Sequence, residues 1–247
     1  MGSVGLSLCV LGCSGTYASP GNACSGYLVR AGGFRMLLDC GPGTLAALGS
    51  QIDIADLDAI VLSHSHPDHW LELPVLRNAL RYVLGIEGLA VYGTAETLIL
   101  AEPLCAGELA PTFEWTVITD NEDRMVGPCR VRTSRTDHPP ETLSIRVDLG
   151  DQSVAYSADT GPRWGFEELG SGIDVAICEA TYLDAERAGG VHLTATEAGE
   201  RGRSAGVSQL VLTHLIPGAD SSEYLRAGAE AYGAPVHLAT PGAIFTP

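Results

Sequence analysis

Asp58-Ala59-Ile60-Val61-Leu62-Ser63-His64-Ser65-His66-Pro67-Asp68-His69-Trp70 is the stretch on which the reading of this chain turns. Its first half is apolar and β-branched and reads as a buried strand. Its second half puts three imidazoles and a carboxylate into six consecutive positions. The cluster therefore sits just past a strand's C-terminal end, the edge of an open α/β sheet where ligands collect. Histidine nitrogens and carboxylate oxygens are natural donors to zinc and similar divalent ions. The chain has only seven histidines in 247 residues, so three crowded here by chance is the weaker reading. On an extended segment alternate side chains point the same way, which lets His64 and His66 grip one ion. Asp68 and His69 fall where the chain turns into a helix and can face a second. Two ions about 3.5–4 Å apart share a bridging hydroxide and clamp both oxygens of a displacement. The pattern predicts a metal-dependent hydrolase.

Four donors cannot hold two ions with ordinary coordination, so further donors are needed. His138 follows the strand-like Arg132–Thr136, Asp159 follows Val154–Ala158, and His214 follows Val211–Thr213. Each repeats the strand-end placement of the first cluster. A carboxylate between two cations is a natural bridge, and Asp159 suits that place.

The rest of the chain supplies the frame. Strands are expected at Leu6–Leu11, at a hairpin of Gly26–Arg30 with Phe34–Asp39, and at Ala59–Leu62 and Leu89–Tyr92. More are expected at Phe113–Ile118, Cys129–Thr136, Thr142–Leu149, Ser153–Ser157, Ile173–Cys178 and Gln209–Thr213, with two short ones at the end. Trp70, Leu73, Leu76, Leu80 and Val83 recur at three- and four-residue steps and predict one amphipathic helix. Thr94 is placed to cap a helix running to about Cys105, and further helices are expected over Thr194–Ala205 and Ser222–Ala231. No linker-like stretch divides the chain, which predicts a single domain over residues 1–247 of mixed α/β class. Its architecture is expected to be a four-layer αββα sandwich.

Composition narrows the function. The formal charge is −16, and two divalent ions would leave the surface strongly acidic. The 14 Lys and Arg residues form no run or stripe, which argues against a nucleic-acid partner, since such binding relies on displacing counterions from phosphates. A small phosphorylated substrate entering a metal-lined pocket feels mainly the local field and remains compatible. No apolar run reaches the ~18–20 residues of a membrane span, and no signal peptide is evident. The seven cysteines are odd in number with no Cys-x-x-Cys pair, as expected of reduced, buried thiols. A cytoplasmic location is the expectation.

His64, His66, Asp68, His69, His138, Asp159 and His214 together resemble the ligand series of the metallo-β-lactamase superfamily, αββα hydrolases with two metals. The resemblance covers essentially the whole chain. It implies one ion held by His64, His66 and His138, another by Asp68, His69 and His214, with Asp159 bridging. Zinc suits the donors best; manganese or iron would also be accepted. Within the superfamily the chain is most similar to the branch of ribonuclease Z and related phosphodiesterases. Leu11-Gly12-Cys13-Ser14-Gly15 resembles that branch's glycine loop. Tyr156-Ser157-Ala158-Asp159-Thr160 resembles its Ser-Gly-Asp-Thr signature with Ala158 in place of glycine. Glu179-Ala180-Thr181 and His192-Leu193-Thr194 resemble its Glu-Ala-Thr and His-x-Thr elements, in which the histidine contacts the scissile phosphate and the glutamate supports it.

The resemblance makes His192 the donor to a leaving oxygen, with Glu179 orienting it and Asp68 helping to orient the nucleophile. Arg163, just past Asp159-Thr160, is a candidate phosphate partner. The first expectation is a phosphodiesterase for small substrates such as a cyclic nucleotide. The alternative is a ribonuclease Z-type nuclease for precursor tRNA, and a lactonase or thioesterase stands third. True ribonucleases Z carry a long tRNA-binding arm between the second histidine and the bridging aspartate. Here only the twenty residues between His138 and Asp159 are available. By analogy with relatives, a homodimer is expected. Substrate choice is expected to depend on the loops Thr16–Ala23 and Ala185–Gly190.

Overall fold

The computed structural model describes residues 5–183 and 189–247. β1 (Leu6–Gly12), β2 (Gly26–Ala31), β3 (Phe34–Leu38), β4 (Ala59–Val61), β5 (Leu89–Gly93) and β6 (Phe113–Val117) form one sheet, with β14 (Ile244–Phe245) beside β1. β7 (Asp123–Val126), β8 (Cys129–Arg135), β9 (Leu143–Leu149), β10 (Gln152–Tyr156), β11 (Val175–Glu179), β12 (Gln209–Thr213) and β13 (His237–Leu238) follow one another across the second. Both sheets begin with antiparallel neighbours and go over to parallel ones, at β3–β4 in the first and β10–β11 in the second.

The layers follow from side-chain alternation along strands buried on both faces. In β1, Leu6, Leu8 and Val10 face the opposite sheet, while Cys9 and Leu11 face outward. In β11, Val175 and Ile177 point inward, and Ala176 and Cys178 outward. One apolar layer therefore lies between the sheets. A second packs α1 (Thr44–Gly49), α2 (Pro67–Trp70), α3 (Leu73–Asn78) and α4 (Ala95–Leu104) on the first sheet through Leu48, Trp70, Leu73, Leu76 and Ala101. A third packs α5 (Ala195–Ser204) and α6 (Ser221–Tyr232) on the second through Ala195, Ala198 and Tyr224. This is the expected αββα sandwich, and each fully buried large aliphatic or aromatic side chain contributes about 1.5–3 kcal/mol to it.

Local signals hold at most element ends. The Thr94 hydroxyl accepts from the Thr97 amide at the start of α4. Thr194 and Glu197 form a reciprocal capping box at α5. One expectation fails: Trp70 to Val83 is not a single helix. α2 ends at Trp70, α3 starts with Pro74 in its first turn, and residues Ala79–Leu84 wind as a π-helix. Proline has no N–H to continue a helix already under way, so the chain restarts there. The wider i→i+5 turn then carries Val83 off the buried stripe, leaving it 80% exposed while Leu73, Leu76 and Leu80 stay buried. β7 was also not expected, since its charged Asp123-Arg124 pair reads as turn.

The ends of β3, β4, β8, β10, β11 and β12 open on one edge. β10, β11 and β12 are parallel and in register, Tyr156 beside Ile177 beside Val211. Three residues further on, Asp159, Ala180 and His214 come to the same level. The Leu143 amide bonds the Ser63 carbonyl and joins the sheets beneath this edge. Among the described residues no helix is long and apolar enough to cross a membrane.

Candidate metal centre

The residues leaving these strand ends converge. His64, His66, His138 and Asp159 bring potential ligand atoms within 4.8 Å of one another, as do Asp68, His69 and His214. The two groups meet on the Asp159 carboxylate. Its Oδ2 lies 3.8 Å from both His64 Nε2 and His138 Nε2. Its Oδ1 lies 3.4 Å from His69 Nε2 and 3.6 Å from His214 Nε2. His66 Nδ1 faces His138 Nε2 at 3.2 Å, and Asp68 Oδ2 stands 3.3 Å from His214 Nε2 and 3.6 Å from His69 Nε2. Four donors about 2.0–2.1 Å from a tetrahedral zinc are about 3.3 Å from each other. These separations match that figure, and they assign one carboxylate oxygen of Asp159 to each group.

The donor atoms also lack other work. His64 Nε2, His69 Nε2 and Asp159 Oδ1 are buried with no hydrogen-bond partner among the described residues. Leaving such groups unpaired in a core costs about 1–3 kcal/mol each. Five buried or half-buried imidazoles around carboxylates, with lone pairs turned toward a common space, are suited to binding metal ions.

In four of the five rings the opposite nitrogen is held. Ser63 Oγ is 2.9 Å from His64 Nδ1, Asp39 Oδ2 is 2.7 Å from His69 Nδ1, the Val191 carbonyl is 2.7 Å from His138 Nδ1, and Thr181 Oγ1 is 2.8 Å from His214 Nδ1. Such outer partners set tautomer and ring orientation for a cation. Asp39 is fully buried and also accepts from the Ser63 amide and hydroxyl and from Tyr156 OH. Asp39 did not stand out in the sequence as part of the site, and Thr181 entered only as the last residue of the Glu-Ala-Thr element. Asp39 ends a strand one position before Cys40, where it reads as an ordinary turn residue.

Electrostatics of the cluster split by surroundings. Burial and then the neighbouring imidazoles push His64 well below the ordinary histidine range. Burial opposes charge on His69 as well, yet the Asp159 and Asp39 carboxylates prevail and hold it well above. Burial would raise Asp68 and Asp159; contacts with His214 and His69 lower both carboxyls instead. The carboxylates of this cluster are thus ready for a cation near neutral pH, and protons compete for His69 and His214.

Several backbone features support the edge. Asp39, Ala158 and His214 adopt left-handed backbone angles, φ 57, 52 and 61°. Ala158 fills the position where the resembled signature has glycine, and a left-handed φ accounts for glycine being suited to it. A Cβ on Gly15 would lie 2.5 Å from the His214 carbonyl oxygen, so only glycine lets that loop lie against β12. The loop then delivers the Thr16 amide to Asp68 Oδ2 at 2.9 Å.

Glu179 and His192 meet beside the cluster. His192 Nδ1 is 3.0 Å from Glu179 Oε1, and its ring centroid is 4.9 Å from that of His138 and 5.8 Å from that of His214. Burial disfavours a charged imidazole, but the Glu179 hydrogen bond and charge win and raise His192 to about 9. Nδ1 lies 3.9 Å from Asp159 Oδ2 and is engaged by Glu179, and His192 also brings a potential ligand atom within 4.8 Å of those of Asp159 and His214. Arg163 is not drawn into the cluster: its backbone amide, Nε and Nη2 all bond Asp137, and its side chain is 84% exposed. All seven cysteines are free and buried. Of the two loops expected to select substrate, residues 185–188 of the second lie outside the described residues.

A family model described as a β-lactamase superfamily domain matches residues 34–215. The uncharacterized protein Rv1339 of Mycobacterium tuberculosis (strain ATCC 25618 / H37Rv) is 34% identical over 95% of this chain and 89% of its own length. The crystal structure of the metallo-β-lactamase fold protein YhfI from Bacillus subtilis matches with a TM-score of 0.89 and 26% identity, covering 98% of this chain and 99% of that one. Ribonuclease Z of Bradyrhizobium sp. (strain ORS 278) is 28% identical, over 84% of this chain and 89% of its own.

Proposed function

The chain belongs to the β-lactamase superfamily and is a metallo-hydrolase, and on that premise we propose that it is a phosphodiesterase for small phosphodiesters such as cyclic nucleotides. His64, His66 and His138 would hold one divalent cation, Asp68, His69 and His214 a second, and Asp159 both, with zinc the best match to the donors. Such ions supply Lewis acidity toward a phosphoryl oxygen and a source of hydroxide near neutral pH.

The observation that supports the phosphate assignment is the Glu179–His192 pair at 3.0 Å, set against the cluster. A proton donor so placed suits the departing alkoxide of a phosphodiester. Glu179 holds one proton at Nδ1 and favours the charged imidazolium, whose second proton, on Nε2, is the one available to the leaving oxygen. Asp68, pinned by the Thr16 amide, stays oriented at the second group.

Substrate size follows from the β9–β10 hairpin. Residues 139–158 are consumed by the turn at Pro139-Pro140, the two strands and the two-residue connection Gly150-Asp151. Nothing in that span extends to grip a tRNA, and the −16 charge opposes a polyanion. Similarity to a ribonuclease Z keeps precursor tRNA as the second reading. Hydrolysis rates on bis(p-nitrophenyl) phosphate, cyclic AMP and precursor tRNA, each with and without chelator, separate them. Turnover of the first two and not the third is expected. Inactivity on every phosphodiester, with turnover of lactones, would reverse the assignment.

A further inference from the structure

We propose that Thr181 is a positioning residue that ties the Glu179–His192 pair to His214, fixing a proton on Nδ1 of both imidazoles. The inference rests on the reading of the site given above, in which His214 is a ligand and His192 a proton donor.

The geometry leaves one arrangement of protons. Glu179 is fully buried, and each of its oxygens already accepts a backbone amide that can only donate: Thr160 on Oε1 at 2.6 Å and Leu193 on Oε2 at 3.2 Å. The carboxylate is therefore the acceptor toward its side-chain neighbours too. Thr181 Oγ1 lies 2.7 Å from Glu179 Oε2 and must spend its single proton there. What remains on that hydroxyl is a lone pair, 2.8 Å from His214 Nδ1, so this nitrogen has to carry a proton. The other oxygen, Oε1, accepts from His192 Nδ1 at 3.0 Å. Nε2 is left free on His214 to face Asp68 and Asp159, and on His192 to face substrate.

The placement is built in by the fold. Glu179 and Thr181 are two residues apart on an extended run and so point the same way. Glu179 pairs in register with Thr213, which brings His214 next to them. The Thr181 carbonyl accepts from Tyr224 OH at 3.1 Å, so α6 holds the main chain in place. Thr181 is 1% exposed, and no water replaces its hydroxyl without opening the core.

The test compares wild type, Thr181→Val, which keeps the shape and removes the hydroxyl, and Thr181→Ser, which restores it. Long-range 1H–15N spectra of metal-free protein, taken to a pH at which the imidazoles are neutral, read the ring tautomers directly. Wild type is expected to show the Nδ1–H form at His214 and His192. Thr181→Val is expected to lose it at His214, to weaken zinc binding about 10–100-fold in chelator competition, and to lower kcat on bis(p-nitrophenyl) phosphate with KM unmoved. Thr181→Ser should return all three toward wild type. An Nε2–H tautomer at His214 in wild type, or a folded Thr181→Val with wild-type zinc affinity, overturns the proposal. If Thr181→Val does not fold, the wild-type spectrum still decides. Because the tautomers are read without metal or substrate, that result stands whether or not phosphodiester turnover is found.

Discussion

Asp39→Asn is the sharpest probe of how the centre is held. The substitution keeps the side-chain volume at a fully buried position, so packing is preserved. The Ser63 amide 2.7 Å from Oδ1 still needs an acceptor, so the new amide keeps its oxygen there and turns its NH2 to where Oδ2 was. That NH2 faces His69 Nδ1 at 2.7 Å and the hydroxyls of Ser63 and Tyr156 at 2.8 and 2.9 Å. The hydroxyls can rotate; the imidazole cannot. His69 must accept at Nδ1 and move its proton to Nε2, the atom 3.4 Å from Asp159 Oδ1 and 3.6 Å from Asp68 Oδ2 that would otherwise meet a cation. The loss is one charge-assisted hydrogen bond, about 1.5–3 kcal/mol. At about 1.4 kcal/mol per factor of ten this is roughly a 10–100-fold weaker second-site affinity. Competition with a chromophoric chelator measures it, with a thermal scan to confirm folding. A folded Asp39→Asn protein that binds zinc within about twofold of wild type would refute the reasoning, because the Asp39–His69 contact would then be doing nothing for the site.

Elemental analysis is expected to find two transition-metal equivalents per chain; chelation should abolish turnover and lower the melting temperature, both restored on reloading. A plateau at one equivalent contradicts the division of Asp159 between two groups. His192→Ala and Glu179→Gln are each expected to lower kcat on phosphodiesters about 10²–10⁴-fold while metal content is kept; unchanged kcat would remove the proton-donor role. Burial pushes the thiols of Cys13, Cys24 and Cys129 up to about 11 and of Cys40 to about 12. An acid whose pKa is raised by folding adds stability that is complete below the unfolded value, about 8.5, and is lost as pH rises through the folded values. Native protein should therefore resist a thiol reagent at pH 8 and show all seven thiols in denaturant, and its urea midpoint should fall above about pH 9; prompt native labelling would contradict this.

What could be read in the sequence was whatever depends on residue type at strand ends. His64 to His69 announce themselves because imidazoles are rare in this chain, and His138, Asp159 and His214 because each follows a strand-like run. The alternation that builds three apolar layers was equally visible in β1 and β11. The outer partners were not. Tyr156 is an ordinary strand residue, Ser63 and Thr181 lie just past strand ends, and the Val191 carbonyl has no side-chain signature at all; only the fold brings them to the imidazoles. The break after Trp70 did have a signal in Pro74, which the apolar periodicity outweighed. β7 was hidden because an edge strand needs no apolar face toward solvent, and its Asp123 pairs with Arg130 on β8 at 2.8 Å instead.

The same distinction explains why the edge is rigid. His64, His138, Asp159 and His214 sit one to three residues past strands whose pairing is fixed by two buried faces, so a register slip in β11 or β12 would turn every core side chain around. That cost falls on the apolar layers and not on the site. The site can therefore hold three non-glycine residues at left-handed angles and three buried polar atoms without a partner, Ala158, Asp39 and His214 among the former and His64 Nε2, His69 Nε2 and Asp159 Oδ1 the latter. Such features cost about 1–3 kcal/mol each and persist only where the surroundings over-determine them. Their gathering at one edge marks where the fold gives up stability to keep lone pairs aimed at a common point.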